Sequence, residues 1–100
     1  MVKELVAQLG LDTARGFMLR ARSEAQAVFE DILHQGMHAD TGRMLHAATG
    51  ACGLTGLKLL ERSLRELEIL AKASKPISET QLGDLKATLA ATGRAIEHLG

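Results

Sequence analysis

The chain has no tryptophan and no tyrosine, and Phe17 and Phe29 are its only aromatic residues. Single-stranded nucleic acid is held on stacked aromatic rings, so that class of partner is disfavoured. Neither charge is in excess, because twelve basic and twelve acidic side chains cancel. Nothing electrostatic therefore calls for nucleic acid or an anionic membrane. The lone cysteine, Cys52, rules out an internal disulfide and is compatible with a reducing compartment. No apolar run approaches the roughly 18 residues that would mark a membrane span. The start, Met1-Val2-Lys3-Glu4, has no apolar stretch behind it of the kind a signal peptide carries. A cytoplasmic location is expected. Proline is limited to Pro76 and β-branched residues are few.

Alanine and leucine dominate, and no segment shows strand-like alternation. The 100 residues are expected to form one all-helical domain, residues 1–100, large enough for a single core. Val2, Leu5, Val6 and Leu9 give a short amphipathic helix that Gly10 ends. Asp12 reads as the next N-cap. Ala14, Phe17, Met18, Ala21, Ala25, Val28, Ile32 and Leu33 carry the second helix to Gly36. Asp40 caps a third helix, whose apolar stripe is Met44, Leu45, Ala48, Ala51 and Cys52 and whose end is set at Gly53. Thr55 or Gly56 opens the fourth, in which Leu57, Leu60, Leu64, Leu67 and Ala71 follow bundle-seam spacing up to Lys75-Pro76. Ser78 and Gln81 stand at capping-box spacing. Leu82, Leu85, Leu89, Thr92, Ile96 and Leu99 then repeat the seam. Short connections make neighbouring helices antiparallel. The expected fold is an up-down-up-down four-helix bundle with a short extra N-terminal helix.

The third helix carries the most telling residues. His46 lies off the apolar stripe, and Gly42 and Gly50 stand four residues before and after it. Residues four apart in a helix lie one turn from each other on one face. The imidazole thus sits between two positions without side chains. Helical glycine costs about 1 kcal/mol relative to alanine, and a bare face lets another protein approach the ring. The pattern His46-x-x-x-Gly50-x-x-x-x-x-Gly56, followed by a leucine-rich helix, resembles the histidine-containing phosphotransfer (Hpt) family. That family's motif is roughly His-x-x-Lys-Gly, with a further glycine six residues on. The match covers eleven residues, and the helix layout agrees over most of the chain.

The resemblance implies a histidine, His46, that accepts a phosphoryl group from receiver-domain aspartates and returns it. Gly50 maps onto the glycine that clears room for the partner, and Gly56 onto the turn glycine. Where the family has lysine, this chain has Thr49, which offers only a hydroxyl. Arg43, one turn before His46, is the candidate replacement cation. Partner-binding residues are then Gly42, Arg43, Thr49 and Gly50. The implied partners are a response-regulator receiver domain, a hybrid histidine kinase, or both. The domain is expected to be a monomeric phosphocarrier rather than an enzyme. It has no Gly-x-x-x-x-Gly-Lys-[Ser/Thr] phosphate loop for ATP, and no cofactor is expected. Any Mg²⁺ and carboxylates belong to the receiver.

Imidazole suits this chemistry, because a free ring with a pKa of about 6.5 is mostly neutral at pH 7 and keeps one lone pair. A helical adaptor that binds a receiver or kinase without carrying phosphate, or that self-associates, is the alternative. Other residues receive simpler readings. His34 and His38 are four apart but lack further ligands, so they read as loop residues rather than a metal site. Cys52 reads as a buried small hydrophobe. His98 complements the dipole at the last helix end. Glu61, Arg62, Arg65, Glu66 and Glu68 read as a solvated face with local ion pairs.

Overall fold

The computed structural model describes residues 2–99, with side chains from Leu5 onward, and the apolar role expected of Val2 lies outside the described side chains. Among the described residues the structure is all-helical, with five helices: α1 (Val2–Leu9), α2 (Leu11–Gln35), α3 (Thr41–Leu54), α4 (Lys58–Lys72) and α5 (Glu79–Glu97). The 25 residues of α2, at about 1.5 Å rise each, run nearly the full 40 Å length of the molecule. Helix α2 packs on α3 and α5, α4 packs on the same two, and α1 lies against α2. The packing of α2 to α5 therefore closes on itself around one core. Among the described residues no helix is long and apolar enough to cross a membrane.

The core follows the leucine and alanine seams. Ala14, Met18, Ala21, Ala25, Val28 and Ile32 of α2 are buried at alternating spacings of four and three. Leu45, Ala48 and Cys52 of α3, Leu60, Leu64 and Leu67 of α4, and Leu85, Leu89 and Ile96 of α5 face them. Phe17 and Leu33 were expected on the α2 stripe but are largely exposed. Each is adjacent to a fully inward residue, Met18 or Ile32, and so is turned about 100° toward the rim. Phe29, one turn beyond Ala25, is buried.

Three boundaries differ from the sequence expectation. Gly10, with φ +83°, is the N-cap of α2, so Asp12 sits in the first turn and not at the cap. There its carboxylate still meets the positive end of the helix dipole. Asp40 does occupy the N-cap of α3, but its side chain makes no cap hydrogen bond. It binds Arg43 at 3.1 Å, while the Thr41 hydroxyl accepts from the His38 backbone N–H at 2.9 Å. Helix α3 also continues past Gly53 to Leu54, and α4 begins at Lys58. The reversal between them is centred on Gly56. With φ +77°, it lets the Leu57 N–H reach back to Cys52 O at 2.9 Å. This six-to-one closure is the Schellman arrangement, and it needs a left-handed residue of the kind glycine supplies. The capping box at Ser78 and Gln81 is formed from both sides.

One device joining α2 to α5 has no periodic signature. The Arg22 Nε–H donates to Leu89 O at 2.8 Å, and its guanidinium lies where a Cβ on Gly93 would be, 2.9 Å from Nε. Gly93 thus makes room for a cross-helix arginine.

Replacing Leu64, which is fully buried, with alanine is expected to cost about 2–5 kcal/mol, whereas Leu59→Ala at an exposed α4 position changes stability by less than about 0.5 kcal/mol. Urea denaturation of the two variants checks this contrast. Burial pushes the Cys52 thiol up to about 12, with the charges of Glu24 and Glu61 adding to the shift. In the folded protein at pH 8 the thiol should resist iodoacetamide and react only on unfolding, as mass spectrometry would show.

Candidate functional site

Helix α3 presents His46 outward because its inward arc is filled by Leu45, Ala48, Thr49 and Cys52. The imidazole is 72% exposed. Its Nδ1 lies 2.8 Å from Glu68 Oε2 on α4. The same carboxylate oxygen lies 2.7 Å from the Lys72 ammonium, one turn further along α4. The Glu68 side chain is only 10% exposed. It was expected on the solvated face of α4. Instead it follows Leu64 by four residues, at the margin of the buried arc, and faces α3. Glu61 and Arg65 do form the expected local pair, at 2.9 Å.

The state of this cluster follows from its geometry. Burial raises the pKa of Glu68, but the hydrogen bonds from Lys72 and His46, together with their charges, outweigh that and hold the carboxyl below its ordinary value. Glu68 is therefore ionised and accepts from both neighbours. An acceptor at Nδ1 selects the tautomer with hydrogen on Nδ1. The lone pair is then on Nε2, at the far side of the exposed ring. The carboxylate also fixes the ring's rotation, as a carboxylate partner does for histidines that bind metals.

Shallow clefts flank the ring. One is bordered by Met37, His38, Gly42, Arg43, His46 and Lys72. The other is bordered by His46, Thr49, Gly50, Arg65, Glu68, Ile69 and Lys72. A Cβ on Gly50 would touch nothing within 4 Å, and one on Gly42 would make ordinary contact, 3.9 Å from Ala71 Cβ and Lys72 Cγ. The bare surface at Gly50 is thus open space, with no internal packing that requires it.

The residues singled out beside His46 separate into two groups. Gly42, Gly50 and Arg43 lie at the cleft rims, although the Arg43 guanidinium is taken up by Asp40 at 3.1 Å. Thr49 faces inward: it is buried, and its hydroxyl donates to Leu45 O at 2.7 Å. It presents no hydroxyl beside the ring. Glu68 and Lys72 are the residues the sequence reading passed over. Their signal was a carboxylate on the edge of a leucine seam with a lysine four residues on. His38 is tied to Asp31, Nε2 to Oδ2 at 2.6 Å, and its Nδ1 accepts from the Asp40 backbone N–H at 3.2 Å. That arrangement closes the α2–α3 loop beside the first cleft. Among the described residues no group of three potential ligands could hold a metal ion.

Comparison of the chain with protein-family models, with curated proteins and with solved structures gives no match. The site is therefore interpreted from its own chemistry.

A depressed carboxyl pKa contributes stability that is present above its unfolded-state value and is lost as pH falls through the folded one. Glu68→Gln should lower stability by roughly 1–3 kcal/mol at pH 7, and its difference from wild type should close as pH drops below the ordinary glutamate range. Urea titrations across pH 2–7 test this. Nitrogen-15 NMR should show His46 losing its preference for the Nδ1–H tautomer in Glu68→Ala.

Proposed function

We propose that the chain is a histidine phosphotransfer module of a two-component phosphorelay, with His46 as the residue that carries the phosphoryl group. The observation that carries this reading is the exposed ring whose Nδ1 is held by a buried, ionised carboxylate. Such a ring is a ready nucleophile at Nε2. Its charge after attack has a partner already in position. Phosphoryl transfer demands in-line approach and charge neutralisation more than covalent help, so a small protein can contribute the nucleophile and a docking face alone.

On this reading α2 to α5 form an antiparallel up-down-up-down bundle, and α1 is the extra N-terminal helix. The bundle is a platform for α3 and α4. The receiver domain of a response regulator, or of a hybrid kinase, meets the face made by His46, Gly50 and the exposed Ile69. It supplies the aspartate, the Mg²⁺ and the remaining machinery. The protein acts in the cytoplasm as a monomeric carrier and binds no ATP. Repeated docking and release calls for a modest interface.

A second reading, a receiver- or kinase-binding adaptor that carries no phosphate, is favoured by one specific feature: Thr49 stands at the family's lysine position and turns inward. Incubation with a phosphorylated receiver separates the two. The relay reading expects an acid-labile, alkali-stable label on the chain that disappears in His46→Gln, whereas binding without label selects the adaptor. Gly50→Leu should leave the fold at least as stable, since open space receives the side chain and about 1 kcal/mol of helix propensity is regained. It should nevertheless slow transfer from a receiver at least tenfold, while labelling by a small phosphoryl donor stays within about twofold.

A further inference from the structure

We propose that Lys72 is the cation that receives the phosphoryl group on His46, delivered from α4 rather than from α3. This inference rests on the phosphotransfer reading and adds a residue role to it. Three observations converge on it. Among the described residues, Lys72 is the only one besides His46 that borders both clefts beside the ring. Its ammonium is two hydrogen bonds from Nδ1, through a shared Glu68 oxygen. Its side chain is 60% exposed, so its head can swing while its stem stays against α3. The alternatives differ in that the carboxylate holding each arginine makes no contact with His46, so a charge on the ring would not replace the arginine there as it would replace Lys72 at Glu68. Arg43 is engaged by Asp40, Arg65 by Glu61, and Thr49 carries no charge and faces inward.

The charge accounting explains why the lysine is free to move when it is needed. In the resting site the Glu68 carboxylate lies between the Lys72 ammonium and Nδ1 of the ring, and the form of the ring that can attack is the one with a free lone pair on Nε2. In the transfer step the Nε2 lone pair forms the N–P bond. The P–O bond to the donor aspartate breaks, and its electron pair leaves with the carboxylate. The ring keeps its Nδ1 proton and becomes positively charged. That charge now satisfies Glu68 directly, so the carboxylate no longer depends on the ammonium. Lys72 is released toward the phosphoryl oxygens, whose negative charge has just arrived. Glu68 thus exchanges one cation for another, and it is never left buried without a partner.

Potassium phosphoramidate tests this on the whole chain without a protein partner. Its P–N bond breaks as the His46 N–P bond forms, and ammonia leaves. Lys72→Ala, Lys72→Arg and Arg43→Ala are compared with wild type after circular dichroism shows each to be folded. Phosphorus-31 NMR follows the phosphohistidine. In Lys72→Ala the phosphoryl titration midpoint should rise by about 0.5–1 pH unit, because a nearby cation favours the dianion. The phosphohistidine half-life should also fall by roughly three- to tenfold. Lys72→Arg should keep both within about twofold, and Arg43→Ala should resemble wild type. A merely structural role for Lys72 would lower the denaturation midpoint and leave the phosphorus titration in place. If wild type is labelled on His46 and Lys72→Ala titrates and decays like wild type, the assignment of Lys72 fails while the phosphotransfer reading stands. If His46 takes no phosphoryl group from phosphoramidate or from a phosphorylated receiver, both fail together.

Discussion

The site depends on a carboxylate placed between two helices. Glu68 is largely covered, and its carboxylate is favoured there because α3 brings His46 and α4 brings Lys72 to the same oxygen. A buried charge that loses a partner is costly, so this contact constrains how α3 sits against α4. It also sets the proton on Nδ1 and therefore the lone pair on Nε2. One interaction thereby links the packing of two helices to the reactivity of an exposed ring. The tight turn at Gly56 joins the same two helices, and the seam of Leu45, Ala48, Leu60 and Leu64 lies beneath them.

Much of the fold was readable because it rests on local rules. Glycines at Gly10, Gly36 and Gly56 adopt positive φ at chain reversals. The Ser78 and Gln81 capping box is a matter of spacing, and the leucine seams of α4 and α5 are a matter of period. The displaced start of α2 reflects a backbone cap where a side-chain cap was expected: Asp12 has the right chemistry, yet Gly10 takes the N-cap through its φ. Asp40 does hold the N-cap of α3, but the side-chain hydrogen bond there is made by the Thr41 hydroxyl. Phe17 and Leu33 show the limit of periodicity from another side. A 25-residue helix with neighbours on two sides buries a narrower arc than its apolar residues occupy.

The site was legible only in part, and for a definite reason. His46, Gly42 and Gly50 share one helix, so sequence spacing brings them together. Glu68 and Lys72 come from the next helix, and their relation to His46 depends on the register between α3 and α4, which no local pattern encodes. On α4 alone, Glu68 and Lys72 are an ordinary i, i+4 pair on a charged face. The same gap hid Arg22 over Gly93, where a long-range hydrogen bond decides the role of a helical glycine.

A glycine can serve what lies inside the molecule or what approaches from outside, and the two cases here differ. At Gly93 an added Cβ would meet Arg22, so the bare position is explained within the fold. At Gly50 an added Cβ meets nothing, so the helix gives up stability with no internal return. Gly16 and Gly83 also face open space, which shows that an open glycine alone is no sign of function. What distinguishes Gly50 is its place one turn from an imidazole whose ring orientation and tautomer are fixed from within. On the proposed phosphotransfer reading, an approaching phosphoryl donor would need both features together: a nucleophile already aimed, and no side chain between it and the solvent. The bundle supplies the first through Glu68, and the missing side chain at Gly50 leaves the second open.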